Sequence, residues 1–186
     1  MKKFLLLLFC IFLNNLIFAQ TKAGDVELPN QLEIEDNTLL LNGAGTREKM
    51  FMDLYAMGLY LTEKSNNEKA IIEAKSPMVA RLEIISGLIT AEKMEKATRN
   101  GFRKATQGNT SSIASEMEEF ISVFKEKIEK KDVFEFHYLP NLGTRVYKNG
   151  NLKKEITGYE FKKALFGIWL CDEPADEDLK KGLLGQ

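Results

Sequence analysis

The first third of this chain alternates apolar and polar residues with the period of a β-strand. Between residues 26 and 61, Leu32 and Ile34 alternate with charged residues, and aromatic residues recur after residue 47. Successive side chains of a strand point to opposite faces, so this period predicts a sheet. The same alternation predicts a further strand over residues 79–85.

The middle of the chain changes to the helical period. Residues 66–74 predict a short helix, and Thr90 stands where an N-cap is expected before a helix over residues 91–106. The polar side of that helix is basic, as in a solvated face, with Lys93, Lys96, Asn100, Arg103 and Lys104. A further apolar stripe at helical spacing predicts a core-facing helix and consists of Ile113, Met117, Phe120, Ile121, Phe124 and Ile128.

Strands return after the helical middle. Three are predicted, over residues 132–138, 144–148 and 152–156. Asn149 and Gly150 form a strong two-residue hairpin signal between the last two. Helices are predicted over residues 158–171 and 175–184. Antiparallel strands on either side of a helical middle predict an α+β fold, with a large antiparallel sheet covered on one face by helices.

Residues 1–19 have the layout of a secretory signal peptide. Two lysines precede an apolar run over residues 4–18, and Ala19 stands before Gln20 at the expected cleavage site. We therefore expect the bacterial Sec route to export a domain of residues 20–186 to the periplasm or beyond, with no stable membrane anchor after cleavage. A transmembrane anchor is the alternative, but two asparagines interrupt the run and leave it short of the ~20 apolar residues that a span needs.

Charge and cysteine content narrow the class of protein. The sequence holds 26 basic and 27 acidic residues, a net charge of −1. Without the two lysines of the leader the balance is 24 against 27, a net charge of −3. No basic run marks nucleic-acid binding, so nucleic acid is not an expected partner. Only Cys171 remains after cleavage, so the exported domain has no internal disulfide and its core must hold it together.

Few residues carry recognisable catalytic or metal-binding chemistry. His137 is the single histidine, which argues against Ser-His-Asp or Cys-His catalysis and a zinc site and predicts a half-buried sheet position. The acidic residues within 172–178 suit a helix N-terminus, with a calcium loop as the weaker alternative. Gly43 and Gly45 lack the third glycine of a dinucleotide fingerprint and instead predict a bulge or a close backbone approach that aims Arg47. We predict no catalytic residue, metal or cofactor.

Arg47 admits two interpretations from sequence alone. It directly follows a glycine-containing segment and precedes the apolar stretch over residues 54–61. An arginine in this place is either exposed or salt-bridged in a structural role, or it anchors a carboxylate or phenolate in a cleft. A guanidinium binds a carboxylate through two parallel hydrogen bonds, a geometry that lysine does not reproduce.

Segments near both ends of the chain carry a family resemblance. They are Leu-Asn-Gly-Ala-Gly-Thr-Arg at residues 41–47, the apolar stretch 54–61, and 161–169 followed by Leu-Cys-Asp-Glu-Pro-Ala-Asp at 170–176 and Leu-Lys at 179–180. Together they resemble the chalcone isomerase-like family, specifically its small exported bacterial branch. The resemblance implies a chalcone isomerase-like fold, in which a ligand cleft lies between a large antiparallel sheet and a helical layer.

The resemblance also implies ligand-binding positions. The arginine after Gly-Ala-Gly-x, here Arg47, binds ligand oxygen across the family, and Asn100 matches an asparagine of the flavonoid isomerases. Tyr55 stands where the fatty-acid-binding relatives have tyrosine and the isomerases have threonine. Lys93 and Ile168 replace an isomerase tyrosine and a hydroxyl or small residue. The predicted ligand-binding residues are therefore Arg47, Tyr55, Lys93 and Asn100, in a non-enzymatic protein whose partner is a small amphipathic carboxylate such as a fatty acid.

Two alternatives stay open at this point. One is an isomerase, an intramolecular lyase acting on an unsaturated carbonyl substrate with Arg47, Lys93 and Asn100. The other is a structural or interaction protein with a collapsed cleft.

A shared role for Arg47 and Tyr55 requires the chain to reverse between them. Eight residues on one straight strand span ~26 Å, too far for one head group. The reversal must fall within residues 49–52, which hold no usual turn residue. The side chains that we expect in the core are Phe51, Met52, Met57, Phe102, Phe120, Phe124, Phe161, Leu165 and Trp169.

Overall fold

The structure is a computed structural model and describes residues 20–186 of the chain. The apolar run over residues 4–18 and Ala19 lie outside the described residues. Within the described range, nine strands and five α-helices form one sheet, one ribbon and one helical layer. None of these helices is long and apolar enough to cross a membrane.

The main sheet is antiparallel and follows chain order. Two short strands, β1 (Gln20–Ala23) and β2 (Val26–Pro29), pair in a separate ribbon. The seven strands of the main sheet are β3 (Gln31–Ile34), β4 (Asn37–Lys49), β5 (Met52–Leu61), β6 (Met78–Ile84), β7 (Val133–Leu139), β8 (Gly143–Lys148) and β9 (Asn151–Ile156). Each strand pairs with its neighbour in sequence, so the sheet is a meander, interrupted by a short helix between β5 and β6 and by longer helical segments between β6 and β7.

Helices cover one face of this sheet, as the α+β prediction requires. They are α1 (Glu68–Glu73), α2 (Ala91–Ala105), α3 (Ala114–Ser122), α4 (Tyr159–Leu170) and α5 (Glu177–Leu183). Aromatic rings join the two layers: the Phe120 ring centroid lies 5.1 Å from that of Phe136 on the sheet and 5.9 Å from that of Phe161 on α4. The Phe136 ring also stacks on Trp169 at 6.0 Å. Burial of such rings dominates the energetics of a core.

The other face of the sheet is partly covered by the β1–β2 ribbon. Ala23, Val26 and Leu28 of the ribbon pack against Ala56 of β5 in a small separate cluster. The helical layer and the ribbon therefore bury β5 from both sides. This explains why residues 54–61 read as a continuous apolar stretch rather than an alternating one.

Two local signals in the sequence act as predicted. The Thr90 hydroxyl accepts a hydrogen bond from the backbone N–H of Lys93 and caps α2. Asn149 and Gly150 connect β8 to β9 with positive φ angles of 51° and 75°, as a type I′ hairpin turn requires.

The apolar stripe after α2 is helical over a shorter length than predicted. α3 passes into the 3-10 turn Val123–Lys125, and Ile128 is buried but lies outside any helix. The Lys131 N–H donates to the Ile84 carbonyl at 2.8 Å, and the Ile84 N–H donates to the Asp132 carbonyl at 2.9 Å. Pairing with β6 therefore takes the backbone out of the helical conformation before residue 132, and tertiary contacts override the helical period.

The required reversal between Arg47 and Tyr55 occurs at Met50 and Phe51. Both residues have positive φ, 52° and 63°, and form a two-residue turn that places Arg47 directly opposite Tyr55 in the ladder. Phe51 is 97% exposed and Met52 45% exposed, so the prediction that both lie in the core is wrong. They project from a hairpin tip that no layer covers. The other predicted core residues are buried: Met57, Phe102, Phe120, Phe124, Phe161, Leu165 and Trp169.

Gly43 and Gly45 provide both a bulge and a close approach, as the sequence predicts. The β4–β5 register shifts between Leu41 and Gly43. A Cβ on Gly43 would lie 2.1 Å from the Gly182 carbonyl oxygen of α5, and one on Gly45 would lie 3.3 Å from the Leu179 side chain. α5 therefore packs backbone to backbone on β4, beside Arg47.

We expect Gly43→Ala to lower the free energy of unfolding by about 1–3 kcal/mol, the usual range for forced overpacking. The obstructing atoms belong to the backbone of α5 and cannot rotate away. Gly87→Ala is the matched control, because its nearest neighbour is the flexible end of Lys130 at 3.5 Å. Urea denaturation measures both variants, and equal stabilities would contradict the close packing of α5.

Candidate ligand-binding site

A cleft of about 520 Å³ opens between the β4–β5 hairpin and α2. Its volume lies within the range of ligand sites, about 300–1,000 Å³. Most of the wall is apolar, formed by Met50, Met52, Leu54, Leu88, Ile89, Met94 and Ala97. The polar residues of the wall are Arg47, Lys49, Tyr55, Lys93, Lys96 and Asn100. All four residues predicted to bind ligand therefore border one cleft, at the place that the resemblance implies.

Arg47 and Tyr55 form the inner end of the cleft. The guanidinium carbon lies 5.7 Å from the centre of the Tyr55 ring. Both residues also border a small inner cavity of about 30 Å³, whose other walls are largely apolar. Within residues 20–186, no carboxylate oxygen lies within 4.0 Å of the Arg47 guanidinium, whereas Arg81 pairs with one carboxylate and Arg99 and Arg145 pair with two each. The charge of Arg47 thus faces the cleft without an ionic partner in the described chain.

Tyr55 is held by a residue that the sequence indicated only as core. The Trp169 indole N–H of α4 donates to the Tyr55 hydroxyl oxygen at 2.9 Å, and Tyr55 is 3% exposed. Burial raises the pKa of Tyr55 above its ordinary value, and the nearby charge of Arg47 offsets this only in part. The hydroxyl therefore stays protonated at neutral pH. Because its oxygen already accepts from Trp169, its proton is available to donate to a ligand.

Lys93 and Asn100 lie at the mouth of the cleft rather than beside Arg47. Both are exposed residues of α2, seven positions apart, which is about 10 Å along a helix. The Lys93 ammonium donates to the Leu88 carbonyl at 3.0 Å, and the Asn100 side-chain oxygen accepts from Arg103 at 2.8 Å. The four predicted residues thus divide into an inner pair and an outer pair.

The inner cavity shows what chemistry the site offers. Ile168 borders it, so an apolar side chain stands where the resemblance implies a hydroxyl or small residue in the isomerases. Thr98 of α2 also borders it and is buried, a position that the sequence did not single out. The Arg47 guanidinium and the Tyr55 hydroxyl, at the inner end of an apolar cleft, suit a carboxylate with an apolar tail.

The remaining candidate residues take structural positions. His137 lies on the sheet face opposite the helices, with its ring 4.6 Å from that of Tyr147. Asp176 caps α5 by accepting from the Leu179 N–H at 2.9 Å, which agrees with the helix N-terminus interpretation of the acidic residues. In residues 20–186 no group of three or more acidic, histidine or cysteine side chains is placed to hold a metal ion.

Comparison with known proteins agrees with this architecture. The chain matches the family described as chalcone isomerase-like over residues 20–185. It is similar in structure to a fatty-acid binding protein of Arabidopsis thaliana, with a TM-score of 0.70, 18% identity, and coverage of 89% of this chain and 96% of that chain. At that identity the likeness shows a shared fold. A search of the curated proteins finds no match. With the family match covering nearly all of the described residues, the chain belongs to the chalcone isomerase-like family.

Proposed function

We propose that this protein is an exported, non-enzymatic carrier or sensor of a small amphipathic carboxylate such as a fatty acid. The observation that carries the proposal is the Arg47 guanidinium, which has no carboxylate partner within residues 20–186 and lies beside a protonated Tyr55 at the inner end of an apolar cleft. The similar Arabidopsis protein is described as a fatty-acid binding protein. Its fold supports the same class of ligand here.

The dimensions of the two cavities set the orientation of such a ligand. The inner cavity of about 30 Å³ has room for about one water molecule, so it does not hold a hydrocarbon chain. The carboxylate therefore binds at Arg47 and Tyr55, and the chain extends through the larger cleft towards Met52 and Leu88 at its mouth. Burying ten methylene groups contributes roughly 8 kcal/mol before the cost of association is subtracted. Chain burial dominates the affinity, while Arg47 determines the orientation.

The alternative is an isomerase acting on an unsaturated carbonyl compound. It is favoured by Lys93 and Asn100, which border the same cleft as Arg47. Turnover of an enone by the wild type that is lost in Lys93→Met would support this alternative.

Native mass spectrometry of purified residues 20–186, followed by organic extraction, tests the proposed function. We expect a stoichiometric acid bound to the protein, or saturable binding of added decanoate to the empty protein. A protein that is purified empty and binds neither decanoate nor a longer fatty acid would contradict the proposal. Expression of the full chain in a bacterium tests the export, because cleavage after Ala19 leaves an N-terminus at Gln20 in the periplasmic or secreted fraction.

A further inference from the structure

The tip of the β4–β5 hairpin exposes an unusual amount of apolar surface. Phe51 is 97% exposed, Met50 78%, Met52 45% and the neighbouring Leu88 46%. These are four of the seven large apolar side chains that are exposed in residues 20–186, and three of the four border the mouth of the cleft. Contiguous exposed apolar surface in a soluble protein marks an interaction site more often than a scattered single residue does.

The two residues of the turn are not of the types that favour its backbone conformation. Met50 and Phe51 both have positive φ, a conformation in which Asn and Gly are strongly preferred. The same sheet contains a second two-residue turn with positive φ at both positions, and that turn has Asn149 and Gly150. The β4–β5 turn thus places a phenylalanine and a methionine where the local backbone would be more stable with small or polar residues. Strain of this kind at a defined place points to function.

Lysines surround the apolar tip. Lys49 directly precedes the turn, and Lys93 and Lys96 face it across the mouth of the cleft. None of the three has a carboxylate oxygen within 4.0 Å among the described residues. The acidic residues near them in sequence, Glu48, Asp53, Glu92 and Glu95, pair with none of them, and Glu95 pairs with Arg99 instead. An apolar tip beside three lysines that have no carboxylate partner complements a membrane surface that has anionic headgroups above a hydrocarbon layer.

We infer that the hairpin tip, with Phe51 as its apex and the three lysines around it, docks this protein onto an anionic phospholipid bilayer. The inference rests on the proposed function, in which the bound molecule is a fatty acid. A fatty acid in a bilayer holds its carboxylate at headgroup level. With the mouth of the cleft resting on the surface, the carboxylate passes first to Arg47 and Tyr55. The chain follows along Met52 and Leu88 without crossing open water.

Vesicle co-sedimentation of residues 20–186 tests the docking. We expect binding to phosphatidylcholine vesicles that contain phosphatidylglycerol, weaker binding to phosphatidylcholine alone, and loss of the difference at high salt. Phe51→Gly should lower vesicle affinity at least about tenfold, because it removes the apex while glycine suits the positive φ of the turn. Leu152→Ser is the matched control, since Leu152 is 52% exposed on β9 and lies away from the tip; it should bind vesicles like the wild type.

A separate measurement distinguishes docking from cargo binding. Phe51 does not border the cleft, so Phe51→Gly should bind decanoate from solution with wild-type affinity and acquire fatty acid from vesicles at least about fivefold more slowly. Vesicle affinity that is equal in Phe51→Gly and the wild type, or equal on neutral and anionic vesicles, would overturn the docking inference and leave the proposed function standing. A wild type that self-associates through the tip and ignores vesicles would also overturn it. Phe51-dependent vesicle binding without any decanoate binding would support docking and contradict the proposed function.

Discussion

Arg47→Ala is expected to weaken the binding of decanoate by about 10- to 150-fold while leaving the fold unchanged. A hydrogen bond to a charged group contributes about 1.5–3 kcal/mol, which corresponds to that range of affinity. Stability should hold because no carboxylate within residues 20–186 depends on the guanidinium for a partner. Isothermal titration calorimetry measures the affinity, and thermal unfolding followed by circular dichroism checks the fold.

Three controls make the result specific to carboxylate recognition. Decanol has the same chain without the carboxylate, so its affinity should change little in Arg47→Ala. Arg47→Lys keeps the charge but not the planar fork, and we expect an intermediate loss. Arg145→Ala removes an equal charge outside the cleft, where the side chain pairs with Glu35 and Glu155, and should bind decanoate normally. Unchanged decanoate affinity in Arg47→Ala would remove Arg47 from the site.

Much of the fold follows from local patterns because the relevant chemistry is local. The Thr90 cap, the Asn149 and Gly150 turn and the alternation in β6 each depend on residues within a few positions of one another. A hydroxyl before a helix and a residue pair that tolerates positive φ have few competing roles. The order of strands and helices could therefore be predicted, and with it the α+β class.

The hairpin tip could not be predicted because its turn lacks turn residues. Long-range pairing across β4 and β5 determines where the chain reverses, and the turn adopts positive φ at Met50 and Phe51 despite their side chains. A rule based on apolar character then assigns Phe51 and Met52 to the core. The requirement that Arg47 and Tyr55 share a site located the reversal correctly, although the family resemblance supplied that requirement and no local signal did.

The contacts that organise the candidate site also escape sequence analysis. Trp169 and Tyr55 are 114 positions apart, and their hydrogen bond depends on how α4 lies on the sheet. Helical spacing placed Trp169 on the inner side of α4, which predicts burial but not a polar partner. The burial of Lys162 is even harder to predict from sequence, because a lysine between apolar positions of a helix is expected to reach solvent.

Lys162 is fully buried, and we expect Lys162→Met to lower the free energy of unfolding by about 3–5 kcal/mol. Its ammonium donates to three carbonyl oxygens at the C-terminal end of α1: Ile71 at 3.1 Å, Ile72 at 2.7 Å and Ala74 at 2.7 Å. Methionine has a similar volume but no donor. The Ile71 carbonyl still accepts from the Ala74 N–H at 3.3 Å, but the carbonyls of Ile72 and Ala74 lose the Lys162 donor, and each buried acceptor left without a partner costs about 1–3 kcal/mol. Lys163→Met is the matched control, since Lys163 is partly exposed, where it pairs with Glu160 and lies 5.1 Å from the centre of the Tyr159 ring.

The same lysine should make the stability depend on pH. Burial, with a smaller contribution from the charge of Lys163, lowers the pKa of Lys162 to about 7. The three carbonyl acceptors favour the ammonium, which has three N–H donors, so they act against burial and move the pKa back up. The pKa of the folded state still lies below the ordinary lysine value of about 10.4 in the unfolded chain. Between these two values the unfolded state binds a proton that the folded state lacks.

The free energy of unfolding of the wild type, relative to Lys162→Met, should therefore rise with pH from about 7 or above and level off near the ordinary pKa of lysine. Below that window Lys162 is protonated in both states and contributes no pH dependence. Urea denaturation of both proteins across this range measures the difference. A difference that falls as pH rises would mean that the three carbonyls outweigh burial and raise the pKa of Lys162. Lys162 would then connect α1 to α4 as a permanent cation, in the manner of a charged C-terminal helix cap.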